Sequence, residues 1–238
     1  KNISALVREL IAVEIDAVVI AVPPDSHAGT IHRCLDAGIA NILCEKPLVT
    51  SSAEAIALWR RVNLSGARLV EGFMYRHHPA VQRFRSRLPE IGRLDSFYAS
   101  FNMLEPDMGP ADRVSWRSDP DRAGGVAYDF LCYPVDVVQW LSGALPTSVT
   151  ASGSRCARTG TINRLTGLIE FQNGCSAIVT SSRKSSFSQR IEANGADGQL
   201  AMESAFANPG DSAITLARSP GFLDFQQTME TVIAEEND

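Results

Sequence analysis

The chain has 238 residues, 45% of them hydrophobic, and a formal net charge of −5. At this length that apolar content supports a substantial core, in one large or two modest domains. Lys and Arg are scattered rather than clustered, so there is no electrostatic footprint for a phosphate backbone and nucleic acid is not an expected partner. The five cysteines, Cys34, Cys44, Cys132, Cys156 and Cys175, are far apart, odd in number and set in apolar surroundings without a C-x-x-C pair. They read as free thiols of a reducing compartment. No apolar run reaches bilayer-spanning length and no charged-then-apolar leader opens the chain, so a cytoplasmic protein with no membrane partner is expected. The chain starts at Lys1 in what reads as the middle of a helix, so a preceding segment is expected.

In chain order, "LVRELIAVEI" spaces Leu6, Leu10 and Val13 as a helix and leads into "DAVVIAV", a β-branched run suited to a strand covered on both faces. "PPDSH" closes that strand. Asp25 or Ser26 is placed to cap a helix that buries Ala28, Ile31 and Leu35 and stops at Gly38. "NILC" is the next buried strand. Ser51 and Glu54 then stand at capping-box spacing before a helix burying Ala55, Leu58, Trp59 and Val62, and "RLVEGF" is a third strand. Strands separated by helices of this length make right-handed crossovers, hence a parallel sheet whose ligand crevice lies at the strands' carboxyl ends. "PPDSH", "EKP" and "GFMYRHHP" fall there.

From about Gly92 the pattern changes. Phe97, Ala99, Phe101 and Met103 alternate as in a half-buried strand. Two hairpins are expected, at Asn173-Gly174 and at Asp197-Gly198. One long helix from about Gly125 to Leu141, closed at Gly143 and bent at Pro134, interrupts the strands. A terminal helix is expected to bury Phe222, Phe225 and Met229. The fold class is therefore α/β: an incomplete Rossmann-like parallel sheet over 1–74, followed over 75–238 by an α+β domain with an open, mainly antiparallel sheet.

On the interrupting helix Asp129, Tyr133, Asp136 and Trp140 recur at intervals of three and four and share a face, either a solvated stripe or one wall of a crevice. Arg76 could clamp a phosphate or pair with a carboxylate. His77 and His78 are adjacent and point apart on any regular element, so no metal site is expected.

"VPPDSH" at 22–27, "DAGIANILCEKPL" at 36–48, "EGFMYRHHP" at 71–79 and "WRSDPDRAGGVAYDFLCYPVD" at 116–136 resemble, in order, the signatures of the Gfo/Idh/MocA oxidoreductases. The variants are most similar to the branch containing xylose and dihydrodiol dehydrogenases and glucose-fructose oxidoreductase. The resemblance implies a dehydrogenase using NAD or NADP on a secondary alcohol of a sugar or cyclic diol. It assigns Tyr133 as proton carrier, Lys46 as the ammonium that activates it and holds the substrate oxygen, and Asp129 as the group that orients the pair or binds the sugar. It places Val22, Pro23, Pro24, His27, Glu45, Lys46, Arg76, Trp116 and Arg117 around the cofactor, with a cis bond before Pro47 turning Lys46 inward. His27 is otherwise a helix-capping or packed imidazole.

Two departures stand against the family pattern. Its Gly-rich turn and the residue that selects NAD or NADP belong upstream of Lys1, and Val126 and Leu131 replace expected glycines, so bulk enters the pocket. The C-terminus also stops early. The alternative is a shortened, non-catalytic sugar-binding or scaffolding homologue. A homodimer or homotetramer is expected through the open sheet, with Ile169, Phe171, Ile178 and the Phe97–Met103 stripe supplying its apolar area.

Overall fold

The computed structural model describes residues 15–104, 115–207, 212–218 and 228–233. Two compact units divide the chain, Lys1–Phe73 with Val114–Gly124, and Met74–Arg113 with Gly125–Asp238.

In the first unit, β1 (Val18–Ile20), β2 (Asn41–Glu45) and β3 (Arg68–Gly72) form a parallel sheet in that order, joined by α1 (His27–Asp36) and α2 (Ser52–Ser65). Ile20, Ile42 and Cys44 turn toward Ile31 and Cys34 of α1 and Leu58 of α2. Each fully buried aliphatic side chain here contributes about 1.5–3 kcal/mol. The opposite row, Val19, Leu43 and Val70, is 68%, 40% and 54% exposed. Among the described residues the β-branched run thus has one covered face, because α1 and α2 both pack on the same side. Helix α2 opens as expected, Ser51 Oγ accepting from Glu54 N at 3.2 Å while Glu54 Oε2 accepts from Thr50 N at 3.3 Å. It buries Leu58, with Val62 partly covered, but Ala55 and Trp59 are exposed. A three-stranded sheet covers only a narrow stripe, and Trp59 lies about 100° round the helix from Leu58.

Helix α1 departs from the expected cap. Pro24–Ser26 already form a 3-10 turn that runs into the helix, and Ser26 is itself helical (φ −104°, ψ −5°), so neither Asp25 nor Ser26 makes a side-chain cap. The helix buries His27, Thr30, Ile31 and Cys34, while Ala28 and Leu35 are only partly covered. It ends as predicted at Gly38, φ +77°, where Ile39 N donates to Cys34 O at 3.0 Å.

The second unit is an eight-stranded sheet in the order β11-β10-β9-β8-β4-β7-β6-β5. The strands are β4 (Leu94–Asn102), β5 (Pro146–Arg155), β6 (Ile162–Phe171), β7 (Ser176–Ser182), β8 (Ser188–Gly195), β9 (Gly198–Glu203), β10 (Ala213–Arg218) and β11 (Thr228–Ile233). All neighbours are antiparallel except β4 and β7. Helices α3 (Pro79–Arg87), α4 (Val126–Asp129) and α5 (Cys132–Ser142) belong to this unit, and α5 packs on β4 and β7. Phe97, Ala99, Phe101, Ile169, Phe171, Val179, Ile191 and Leu200 make the helix-covered core. Ile169, Phe171 and the Phe97, Ala99 and Phe101 stripe, expected to supply apolar area to the open face, are therefore in the core; Leu168 and Ile178, 42% and 47% exposed, lie on the open side.

The Asn173-Gly174 hairpin forms as predicted, with Gly174 at φ +84°. The second hairpin forms one position earlier: Gly195 pairs with Gly198 across Ala196-Asp197, so Gly198 starts the strand. The predicted long helix is instead α4 and α5. At the junction Leu131 N reaches back to Val126 O at 2.8 Å, a wide turn that precedes Pro134. Pro134 is then the third residue of α5, where no intrahelical donor is missed and no bend is required. The terminal helix is also corrected, since Thr228–Ile233 is a strand paired with β10, and Met229 is 71% exposed. Its Thr, Thr, Val and Ile favour an extended edge partner over a helix. Leu6, Leu10, Val13, Phe222 and Phe225 lie outside the described residues.

Candidate active site

The end of β2 is built from the strand outward. Ile42 and Cys44 point inward, so Glu45 is exposed and Lys46 follows, half-buried. The Lys46–Pro47 peptide is cis. Leu48 N donates to Glu71 Oε1, from β3, at 2.8 Å. His27, fully buried, places Nδ1 2.9 Å from Pro47 O and Nε2 2.8 Å from Val22 O. One ring thus joins the turn after β1 to the turn after β2 through backbone carbonyls. A Cβ on Gly72 would come 3.2 Å from Cys44 O and 3.3 Å from Glu45 Cα, so a bare glycine lets the end of β3 lie close against Glu45. The Cys44 thiol is pushed up to about 12, by burial first and then by the charges of Glu71 and Glu45. It stays protonated at neutral pH and is no nucleophile.

In the β1 turn Val22 and Pro23 are half-buried and Pro24 is buried. Asp25 accepts from Arg122 Nε at 2.7 Å, and this guanidinium holds the Asp25 carboxyl below the usual carboxylate range. The pair fastens residues 115–124 to the β1 turn within the same unit. Ser115 and Asp119 cap two successive 3-10 turns there. A Cβ on Gly124 would lie 2.5 Å from Asp119 O and 2.7 Å from both Arg117 O and Trp116 O, so only glycine closes this loop. The Arg117 guanidinium stacks 4.6 Å over the Trp116 ring.

In the second unit, Tyr133 is 7% exposed. Its ring lies 5.4 Å from Phe101, 5.7 Å from Phe206 and 5.9 Å from Tyr75, with its hydroxyl 3.8 Å from Met74 Sδ. Asp129, the last residue of α4, accepts from Arg183 Nη2 at 2.9 Å, and the two side chains are 5% and 9% exposed. The Arg183 guanidinium also lies 5.2 Å from the Phe130 ring centre. Asp136 accepts from the Tyr75 hydroxyl, from Arg76 Nε at 2.8 Å and from Arg76 Nη2. Arg76 lies 5.2 Å over Trp140. Of the two partners open to Arg76 in the sequence, the structure supplies the carboxylate. Burial, followed by the Asp136 charge, raises the Tyr75 phenol well above its ordinary value, so Tyr75 is a fixed donor and not a base.

The Asp129, Tyr133, Asp136 and Trp140 face is accordingly a packed, ion-paired surface and not a solvated stripe. Val126 and Leu131 are buried, 0% and 8% exposed, so their bulk enters the core of the second unit. His78 accepts from Ala80 N at 3.2 Å as the cap of α3, while His77 is exposed. Among the described residues no three His, Cys, Asp or Glu side chains are grouped to hold a metal ion.

Sequence reasoning missed Glu71, Arg122 and Arg183. Each does carry a signal: a charged residue at, or just past, the end of a strand, or in a Gly-rich turn. Their partners are 23, 97 and 54 positions away, and no local spacing reports that. The first unit fits a nicotinamide nucleotide in one respect: the turns that follow the parallel neighbours β1 and β2 adjoin at the strands' carboxyl ends, and the second carries the cation Lys46.

Residues 1–73 match a family model described as "Oxidoreductase family, NAD-binding Rossmann fold", and residues 87–201 match "GFO/IDH/MocA C-terminal domain". The chain is 34% identical over 193 residues to D-xylose 1-dehydrogenase (NADP(+)) 2 of Haloferax volcanii, covering 81% of this chain and 58% of that protein. It is 30% identical over 220 residues to inositol 2-dehydrogenase of Rhizobium meliloti, covering 89% and 63%. A crystal structure of a 3-ketoreductase from Actinomadura kijaniata in complex with NADP and TDP-benzene superposes with a TM-score of 0.81 at 27% identity, covering 95% of this chain and 67% of that one. The chain spans about three fifths of the length of the curated relatives it matches. With both family models matched in order, and with the partial parallel sheet and the open mixed sheet they describe, the chain belongs to the Gfo/Idh/MocA family of oxidoreductases.

Proposed function

We propose that the chain works in an NAD(P)-dependent dehydrogenase that moves a hydride between a nicotinamide and a secondary alcohol of a sugar or cyclic diol. The observation that carries this reading is Lys46, half-buried on the cis-proline turn at the carboxyl end of a parallel strand. That is where sheets of this class bind ligands. The bound nicotinamide supplies the hydride acceptor, or the donor in the reverse direction. The chain's own residues handle the proton. Lys46 holds the alcohol oxygen, and Tyr133 takes the hydroxyl proton. A phenol of ordinary pKa about 10 is almost wholly protonated at neutral pH and cannot accept a proton, and a nearby ammonium lowers that pKa and so supplies the phenolate that does. Asp129, held by Arg183, binds a second substrate hydroxyl and orients the pair.

Val22, Pro23, Pro24, Glu45, Trp116 and Arg117 form the nicotinamide side, His27 supports their turns, and Arg76 contributes through Asp136. Residues 1–74 are the nucleotide-binding part and 75–238 the substrate and partner part. The partner is a second copy, giving a homodimer or homotetramer. Leu168, Ile178 and Tyr98 form one cross-strand row on the open face, bordered by the Thr166–Thr180 pair and the Arg190–Glu192–Glu203 charges. The test is nucleotide reduction by the full-length enzyme on a panel of aldopentoses, inositols and cyclic diols. Reduction with at least one of them, lost in Lys46→Ala and Tyr133→Phe, is expected. Full activity in either variant would remove that residue's role.

A further inference from the structure

His27 is the first residue of α1, and its ring is shut away from solvent between two turns of the first unit. Nδ1 lies 2.9 Å from the carbonyl oxygen of Pro47 and Nε2 lies 2.8 Å from that of Val22. A carbonyl oxygen only accepts, so both contacts are hydrogen bonds only if both ring nitrogens carry hydrogen. A neutral imidazole has one N–H and one lone pair. In that form, one of the two contacts sets a nitrogen lone pair against an oxygen lone pair, where no water can intervene. We propose that His27 is a doubly donating imidazolium that locks the Lys46 turn to the β1 turn, and that the lock opens when the ring gives up one proton.

The charges around the ring can be taken element by element. On the β1 turn Asp25 is an anion, held below the usual carboxylate range first by its hydrogen bond from Arg122. Arg122, on residues 115–124, pairs with Asp25. The β2 turn carries Glu45 and Lys46, and β3 carries Glu71, which accepts from Leu48 N. The positive end of α1 and the burial of the ring oppose the cation. The two carbonyl dipoles favour it. The turn is gripped on consecutive residues from two sides, Pro47 O by the His27 donor and Leu48 N by the Glu71 carboxylate. Loss of the ring proton releases one grip next to Lys46 and leaves the other. His27 is thus a positioning residue that acts through the backbone. The lock stands without any role for Lys46; only its effect on turnover rests on the function proposed above.

The experiment is a long-range proton–nitrogen correlation spectrum of the intact chain with 15N-labelled histidine, followed across the pH range in which the protein stays folded. The His27 signals are assigned by removing His32, His77 and His78 one at a time, which leaves the buried ring untouched. The expected result is two protonated ring nitrogens on the acid side and loss of one on raising the pH, with the Leu48 amide signal moving along the same titration curve. A single neutral tautomer at every pH overturns the proposal. So does a ring that titrates while Leu48 stays still, or a doubly protonated ring that never titrates. None of these readouts depends on nucleotide or substrate turnover, so an inactive enzyme with the expected spectrum would remove the proposed function and keep the lock.

Discussion

The two units hold their candidate groups by different means. In the first, the Lys46 turn is fixed through main-chain atoms: Pro47 O against His27, Leu48 N on Glu71 and a bare Gly72 beside Glu45. In the second, Tyr133 and Asp129 are fixed through side chains: an aromatic cluster, the Asp129–Arg183 ion pair and the Tyr75–Asp136–Arg76 cluster. Backbone fixing should tolerate change in the side chain it presents, because these contacts of the turn use main-chain atoms of Pro47 and Leu48. Side-chain fixing does not, because removing a ring of the aromatic cluster leaves a cavity and removing one member of an ion pair takes the counter-charge from the other.

The largest expected effect is on turnover. In the full-length enzyme Lys46→Ala and Tyr133→Phe should each lower kcat by roughly two to four orders of magnitude, the scale of a lost acid-base partner. The double variant should lose less than the product of the singles, since both act on one proton. Steady-state kinetics decides this, and a fully multiplicative loss would separate the two roles. By the contrast drawn above, Lys46→Ala should leave thermal unfolding nearly unchanged.

Next in size is the buried ion pair. Arg183→Met should cost about 3–5 kcal/mol of unfolding free energy, because the buried Asp129 carboxylate loses its guanidinium partner. Adding Asp129→Asn should return part of that loss. Denaturant melts of the single and double variants read the coupling, and strictly additive losses would mean that the pair is not desolvated as a unit.

Self-association comes third. Ile178→Lys puts a charge at the centre of the open-face row and should reduce a twofold or fourfold mass in light scattering to that of one chain. A wild-type mass that is monomeric at all accessible concentrations would remove the second copy from that face.

The smallest effect concerns Asp25. Its folded-state pKa is depressed by Arg122, so its contribution to stability is present above the unfolded carboxylate value of about 3.9 and is lost as the pH falls through the lower, folded value. Arg122→Ala should move the Asp25 titration upward and remove that stretch of the acid-unfolding curve, with a loss of stability that is present at neutral pH, disappears in acid and is small throughout for so exposed a pair. Carboxyl carbon shifts followed by pH check the direction.

The element types of the first unit were legible because each rests on neighbours in sequence. The capping box at Ser51 and Glu54, Gly38 at a left-handed helix end and the Asn173-Gly174 hairpin of the second unit all satisfy local backbone demands. The positions of Lys46, Glu45 and Tyr133 on their elements were legible for the same reason. What the sequence left open was decided by partners far along the chain. Arg76 had two possible anions, and Asp136, 60 positions further along the chain, became its partner. Thr228–Ile233 reads as helix by its apolar spacing, but the free edge of β10 made it a strand. Pro134 implied a bend only while the helix was taken as continuous, and the wide turn at Leu131 moved it into a first turn. His27 offered a cap or a packed ring, and only the approach of β1 and β2 as parallel neighbours brought Val22 O and Pro47 O to its two nitrogens. Local chemistry determines which groups a segment presents, whereas hydrogen bonds and ion pairs between distant segments depend on topology, which no spacing of a few residues encodes.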